Sequence, residues 1–176
     1  MLKIRFAKPN DRYIYNVCFT NENWRKLYGI YIDQKTVDSY LQSFAPYNTL
    51  DGEYYILEKD EEGVGFLNLL FESETEVILS GGIMPEKMNQ GLGIVFYIYS
   101  IKYLMTNRAI KQITTYVEKD NFLSNKIHQK LGFTVFDMTK DKNIYKFNDD
   151  MFAKVEESKI YLWALKRDCE IYDEKR

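Results

Sequence analysis

MNQGLGIVFYIYSIKYL, residues 88–104, decides how the rest of the chain is read. Gly91 and Gly93 stand at the head of an apolar run whose one charge is Lys102. Ile94, Ile98, Ile101 and Met105 recur at helical spacing, which predicts a helix over about 91–106. The run is apolar nearly all round, so the helix is expected to be buried. Two glycines at its start cost roughly 1 kcal/mol each relative to alanine. A backbone that must approach a ligand closely would compensate. The first N–H groups of a helix lack partners within it. With little side chain around them, those of residues 90–95 attract a phosphate or diphosphate at the positive end of the helix dipole.

Strands and helices alternate outward from this helix. LKIRF (2–6) reads as a first strand, followed by a helix over 12–19 and an irregular or helical stretch, NENWRKLYG (21–29). VDSYLQSF (37–44) reads as a helix with Thr36 as its cap. Residues 53–59, 64–71 and 76–84 form an antiparallel meander with short turns. After the glycine-led helix come a strand at 111–118, a short helix at 121–132 closed by Gly132, and a strand at 133–139. A charged loop (140–157), a last strand KIYLWALKR (159–167) and a polar tail complete the reading. This is one α/β domain over 1–176: a mixed, mostly antiparallel sheet of about seven strands with about four flanking helices.

Composition narrows the function. A net charge of −2 argues against a dedicated nucleic-acid binder. No apolar stretch reaches membrane-spanning length, so a soluble cytoplasmic protein is expected. Cys18 and Cys169 lie far apart, and His128 is the single histidine. Reduced thiols and no metal site are expected.

Among phosphate-binding patterns, a P-loop would need Gly-Lys-Ser/Thr, which is absent, and a dinucleotide loop would need glycine where Phe96 stands. The third is Gln/Arg-x-x-Gly-x-Gly/Ala, with Gln90, Gly93 and Val95 at its fixed positions, valine replacing the last small residue. About 28 residues on, NFLSNKIHQKLGF (121–133) places Asn121, Ser124, Lys130, Leu131, Gly132 and Phe133 in register with a second motif. Both motifs, in order and on the expected elements, resemble the GNAT superfamily of acetyl-CoA-dependent N-acetyltransferases. The opening and close of the chain look most like its ribosomal-protein and amino-sugar branch.

The resemblance implies acetyl-CoA as co-substrate, an amine acceptor, no metal and a possible homodimer. It implies that the strands on either side of the glycine-led helix splay, and that the pantetheine arm fills the gap. Leu79, Gly81, Gly82, Ile83 and Met84 would then pair with the arm, and one backbone N–H there would hold the oxyanion. Gln90, Gly91, Leu92, Gly93, Ile94 and Val95 would hold the diphosphate, Asn121 the pantetheine, and Ser124 and Lys126 the phosphate end. Asn121 also reads as a plain helix cap. His128 stands where relatives carry a tyrosine facing the departing thiolate, and either donates that proton or simply packs. The position of the family's glutamate base falls on Leu79, which leaves Glu76 acting through water, with Ser80 on the same strand face. Trp24, Tyr28 and Tyr31, with Tyr40, offer flat polar-tipped rings for the acceptor or for packing. The alternative to an enzyme is a relative that binds acyl-CoA without turning it over.

Overall fold

The computed structural model describes residues 1–30, 33–43 and 52–172. Strand β1 (Leu2–Phe6) leads through a 3-10 turn (Pro9–Asp11) to helices α1 (Arg12–Thr20), α2 (Glu22–Leu27) and α3 (Gln34–Ser43). The meander follows as β2 (Gly52–Lys59), β3 (Glu62–Phe71) and β4 (Glu76–Ile83). A second 3-10 turn (Pro85–Lys87) precedes α4 (Leu92–Asn107), β5 (Gln112–Glu118), α5 (Phe122–Lys130), β6 (Thr134–Met138) and β7 (Lys142–Asn148). The chain then runs through α6 (Asp149–Val155), α7 (Lys159–Leu165) and β8 (Cys169–Tyr172).

All eight strands join one sheet in the order β6-β7-β5-β4-β3-β2-β1-β8. β4–β5 and β1–β8 are the parallel pairs; the rest are antiparallel. One face carries α4, α5 and α7 over a core that includes Val77, Leu79, Ile98, Ile101, Ile113 and Phe147. The other carries α1 and α2 over Ile56 and Phe66. The apolar helix α4 is enclosed on several sides. Its Ile98 and Ile101 face the sheet core, Tyr99 donates to the Leu165 carbonyl of α7 at 3.1 Å, and Tyr97 meets His128 of α5.

β4 and β5 pair only at Glu76–Gln112, Val77–Ile113 and Ile78–Thr114. Beyond that point β4 stays with β3, and β5 stays with β7 through Glu118–Lys142. This is the splayed parallel pair that the resemblance implied.

Four expectations need correction. Residues 159–165 form helix α7, not a strand. Nearly every position there is apolar, so alternation carries no signal, and the Ser158 hydroxyl caps the helix by accepting from the Tyr161 N–H. The last strand is β8, within the stretch expected to be a polar tail, paired with β1. The charged loop 140–157 holds β7 and α6, the latter capped by Asn148. Asp33, not Thr36, caps α3, accepting from the Thr36 N–H at 2.8 Å. The described residues thus hold eight strands and seven helices rather than about seven and four. No helix among them is long and apolar enough to cross a membrane.

Candidate active site

The parted strands form a groove. Met84 donates its N–H to the Val64 carbonyl at 2.8 Å. Backbone groups alternate in direction along a strand, so those of Leu79, Gly81 and Ile83 turn away from β3 and toward β5. β5 does not take them up beyond Ile78. The Leu79 and Ile83 side chains enter the core under α4. Gly81 is half-buried, and Gly82 and Met84 are buried.

The groove leads to the tip of α4. Gly91 caps that helix at φ +73°, a left-handed conformation that favours glycine, with no side-chain hydrogen bond to the first turn. Gln90, Gly91 and Gly93 are exposed, whereas Leu92 and Val95 turn into the core and Ile94 is half-buried against it. A Cβ on Gly93 would make only ordinary contact, 3.5 Å from Ile83 Cγ1. Val95 therefore adds its bulk to the core and not to the tip. Open N–H groups beside a strand-sized groove fit a diphosphate with an extended arm attached. Trp163 of α7 lies beside the same tip, 3.6 Å from where a Gly91 Cβ would stand, and the Arg167 guanidinium sits 4.1 Å from its ring centroid.

His128 is held inside. Its Nδ1–H donates to the Ser124 carbonyl at 2.8 Å, which leaves Nε2 to accept from the Tyr97 hydroxyl at 2.8 Å. Its ring stacks on Tyr145 and meets Phe133 edge-on. Burial pulls the imidazole down to about 4, against a smaller upward pull from the Ser124 backbone. At neutral pH it is uncharged, so an imidazolium proton donor does not fit this environment.

Glu76 lies at the closed end of the fork, where β4 and β5 still pair, and accepts a hydrogen bond from Gln112 Nε2 at 3.3 Å. Ser80, two residues past the last β4–β5 pair, is exposed. Leu79 is buried. Asn121 does cap α5, accepting from the Ser124 N–H at 3.1 Å, and also donates Nδ2–H to the Leu27 carbonyl at 3.2 Å. Ser124 is half-buried and Lys126 exposed. Trp24 and Tyr28 stack against each other over Gly82, Trp24 being only 3% exposed. Tyr31 and the Tyr40 side chain lie outside the described residues.

No family model matches the chain. Over 89 residues it is 28% identical to the acetyltransferase PseH of Campylobacter jejuni, a match covering 51% of this chain and 55% of that relative. The chain thus spans about half the length of the curated relative it matches. The crystal structure of the Campylobacter jejuni N-acetyltransferase PseH agrees with a TM-score of 0.61 at 17% identity, covering 84% of this chain and 98% of that one. The aminoglycoside acetyltransferase AAC(6′)-Ib, solved with ribostamycin and coenzyme A, reaches 0.74 at 12% identity over 90% and 98%. Spermidine N-acetyltransferase from Vibrio cholerae, solved with CoA and spermine, reaches 0.67 at 13% identity over 86% and 98%. The chain has the GNAT fold.

Within this GNAT fold, sequence reasoning passed over two buried polar groups beside the fork. Glu118 ends β5, pairs with Lys142 at 3.2 Å, and packs against Gly29 so closely that a Cβ there would fall 2.0 Å from its carboxylate. Asn125 donates to the Glu118 and Asn121 carbonyls at 2.8 and 2.9 Å and accepts from the Tyr145 hydroxyl at 2.9 Å. Together they tie the first turn of α5 to the end of β5. An asparagine one helical turn after a capping asparagine was the available signal.

Proposed function

We propose that the protein is an N-acetyltransferase that moves the acetyl group of acetyl-CoA to a primary amine by direct attack in a ternary complex. One observation carries this reading: the exposed, glycine-tipped end of α4 opens beside strands that separate after Ile78. The solved structures that share the fold support it, since those of AAC(6′)-Ib and the spermidine enzyme were determined with coenzyme A. Acetyl-CoA supplies the activated thioester. The N–H groups of residues 90–94 hold its diphosphate. The backbone of Leu79 and Gly81 pairs with the pantetheine arm, and one N–H there donates a hydrogen bond to the developing oxyanion.

The neutral amine attacks the thioester carbonyl, the new C–N bond forms as the C–S bond breaks, and the proton that the amine nitrogen gives up passes to the departing thiolate, directly or through water. A thiolate of pKa about 8.5 leaves without a side-chain acid, which suits a neutral His128. A covalent acetyl-cysteine is disfavoured, because burial pushes both the Cys18 and Cys169 thiols up to about 12. A second reading is an acyl-CoA binder without turnover. Its support is the carboxylate of Glu76 at the closed end of the fork and the buried Leu79 where a base would stand. Free-thiol release from acetyl-CoA with a panel of amino sugars, polyamines and peptides tests both. Release with any amine supports the enzyme; thermal stabilisation by CoA without release supports the binder; neither response overturns both.

A further inference from the structure

Trp24 belongs to α2, yet its indole Nε1–H donates to the Ile83 carbonyl at 2.8 Å in a fully buried bond. Ile83 is one of the residues whose backbone turns into the groove. Tyr28, one helical turn on, stacks against the indole with centroids 4.0 Å apart and planes 21° apart. Both rings lie on Gly82: a Cβ there would meet Trp24 Cζ2 at 2.5 Å and Tyr28 Oη at 3.1 Å. Residue 82 therefore has to be glycine for these rings to reach the strand. The Tyr28 ring thus lies against the same strand, and burial raises its hydroxyl to about 12.

An arm that adds to β4 as an extra strand needs backbone partners in succession, and at Ile83 the carbonyl is already engaged. We propose that Trp24 and Tyr28 form an aromatic latch on the Ile83 backbone, and that the pantetheine arm of acyl-CoA displaces it on binding. The inference rests on the coenzyme reading above. α2 is short, and its ends are fixed by other contacts: Asn21 caps it through the Trp24 N–H at 2.9 Å, and Asn121 holds the Leu27 carbonyl at 3.2 Å. Trp24 also packs against Phe19 and Phe66, so release of Ile83 requires the indole to turn within this aromatic cluster while the helix stays docked. Because the latched state cannot take the full arm, the apparent affinity for coenzyme falls by the fraction of molecules that are latched.

The chain has two tryptophans, so Trp163→Phe leaves Trp24 as the only indole reporter. In that background, CoA is titrated by calorimetry and by tryptophan emission, with and without Tyr28→Leu; Trp24→Phe is titrated by calorimetry alone. The latch predicts that CoA binding changes the intensity and wavelength of Trp24 emission. It also predicts that each substitution weakens the latched state, Trp24→Phe by removing its hydrogen bond and Tyr28→Leu by removing the stacked ring, and so tightens CoA binding about fivefold. Tyr28→Leu leaves the Trp24 indole in place, so it reports even if Trp24→Phe folds poorly. CoA binding with unchanged Trp24 emission and unchanged affinity in both variants overturns the latch and leaves the coenzyme reading intact. No CoA binding in the parent or either variant overturns both.

Discussion

His128 shows what a single residue contributes when its surroundings are known. Both ring nitrogens are satisfied in the neutral form, and burial pulls the group from 6.5 to about 4. A base whose folded pKa is depressed binds fewer protons folded than unfolded between these values. Its contribution to stability is therefore complete above about pH 6.5 and is lost as the pH falls toward 4. Between pH 7.5 and 5 this amounts to about 2 kcal/mol. Urea unfolding of the parent and His128→Gln at the two pH values checks it: the parent should lose about 2 kcal/mol more than the variant over that interval, and equal losses would refute it. The glycines of the α4 tip separate in the same way. Gly91→Ala forces a left-handed alanine at φ +73° and should cost about 1 kcal/mol. Gly93→Ala meets nothing closer than 3.5 Å inside a helix and should gain up to about 1 kcal/mol. Denaturation midpoints of the two variants should move in opposite directions.

At the scale of elements, what was legible depended on how local the deciding interaction is. The start of α4 could be read because its glycines, its apolar run and its missing cap lie within one stretch. The meander could be read because β2 and β3 meet across Asp60 and Glu61, both at positive φ in a tight turn. Residues 159–165 could not be read, because a nearly all-apolar stretch suits a strand or a buried helix equally until its partner is known. That partner is α4, met through Ala164 and Leu165. The same limit applied to the site. The diphosphate tip was visible in sequence, but the contact of Trp24 with Ile83 joins residues 59 positions apart, and that of Glu118 with Gly29 joins two more elements. Local caps remain testable one by one. Ser158→Ala removes the hydroxyl that accepts the Tyr161 N–H and should lower stability by about 1 kcal/mol in thermal or urea unfolding.

Across the whole molecule, the groove stays open because each of its walls is secured from behind. β4 is backed by β3 and β5 by β7, so neither needs the other beyond Ile78. The helix that closes the back of the groove, α4, is anchored at its far end. Arg108 makes two 3.0 Å hydrogen bonds to the Glu53 carboxylate of β2, and the Tyr55 hydroxyl adds a third at 2.8 Å. Glu53 is buried, and the Arg108 guanidinium also lies over the Phe71 ring. Removing the arginine would take two charge-assisted hydrogen bonds from a buried carboxylate, and such breaks cost about 3–5 kcal/mol. Arg108→Ala should therefore destabilise the protein by at least about 3 kcal/mol, measured by urea unfolding at pH 7. Sixteen helical residues separate this anchor from the tip of α4, a distance of about 24 Å. Coenzyme affinity measured on the folded variant should then match the parent. A large loss of affinity with little loss of stability would mean that the anchor serves the tip of α4 and not the fold.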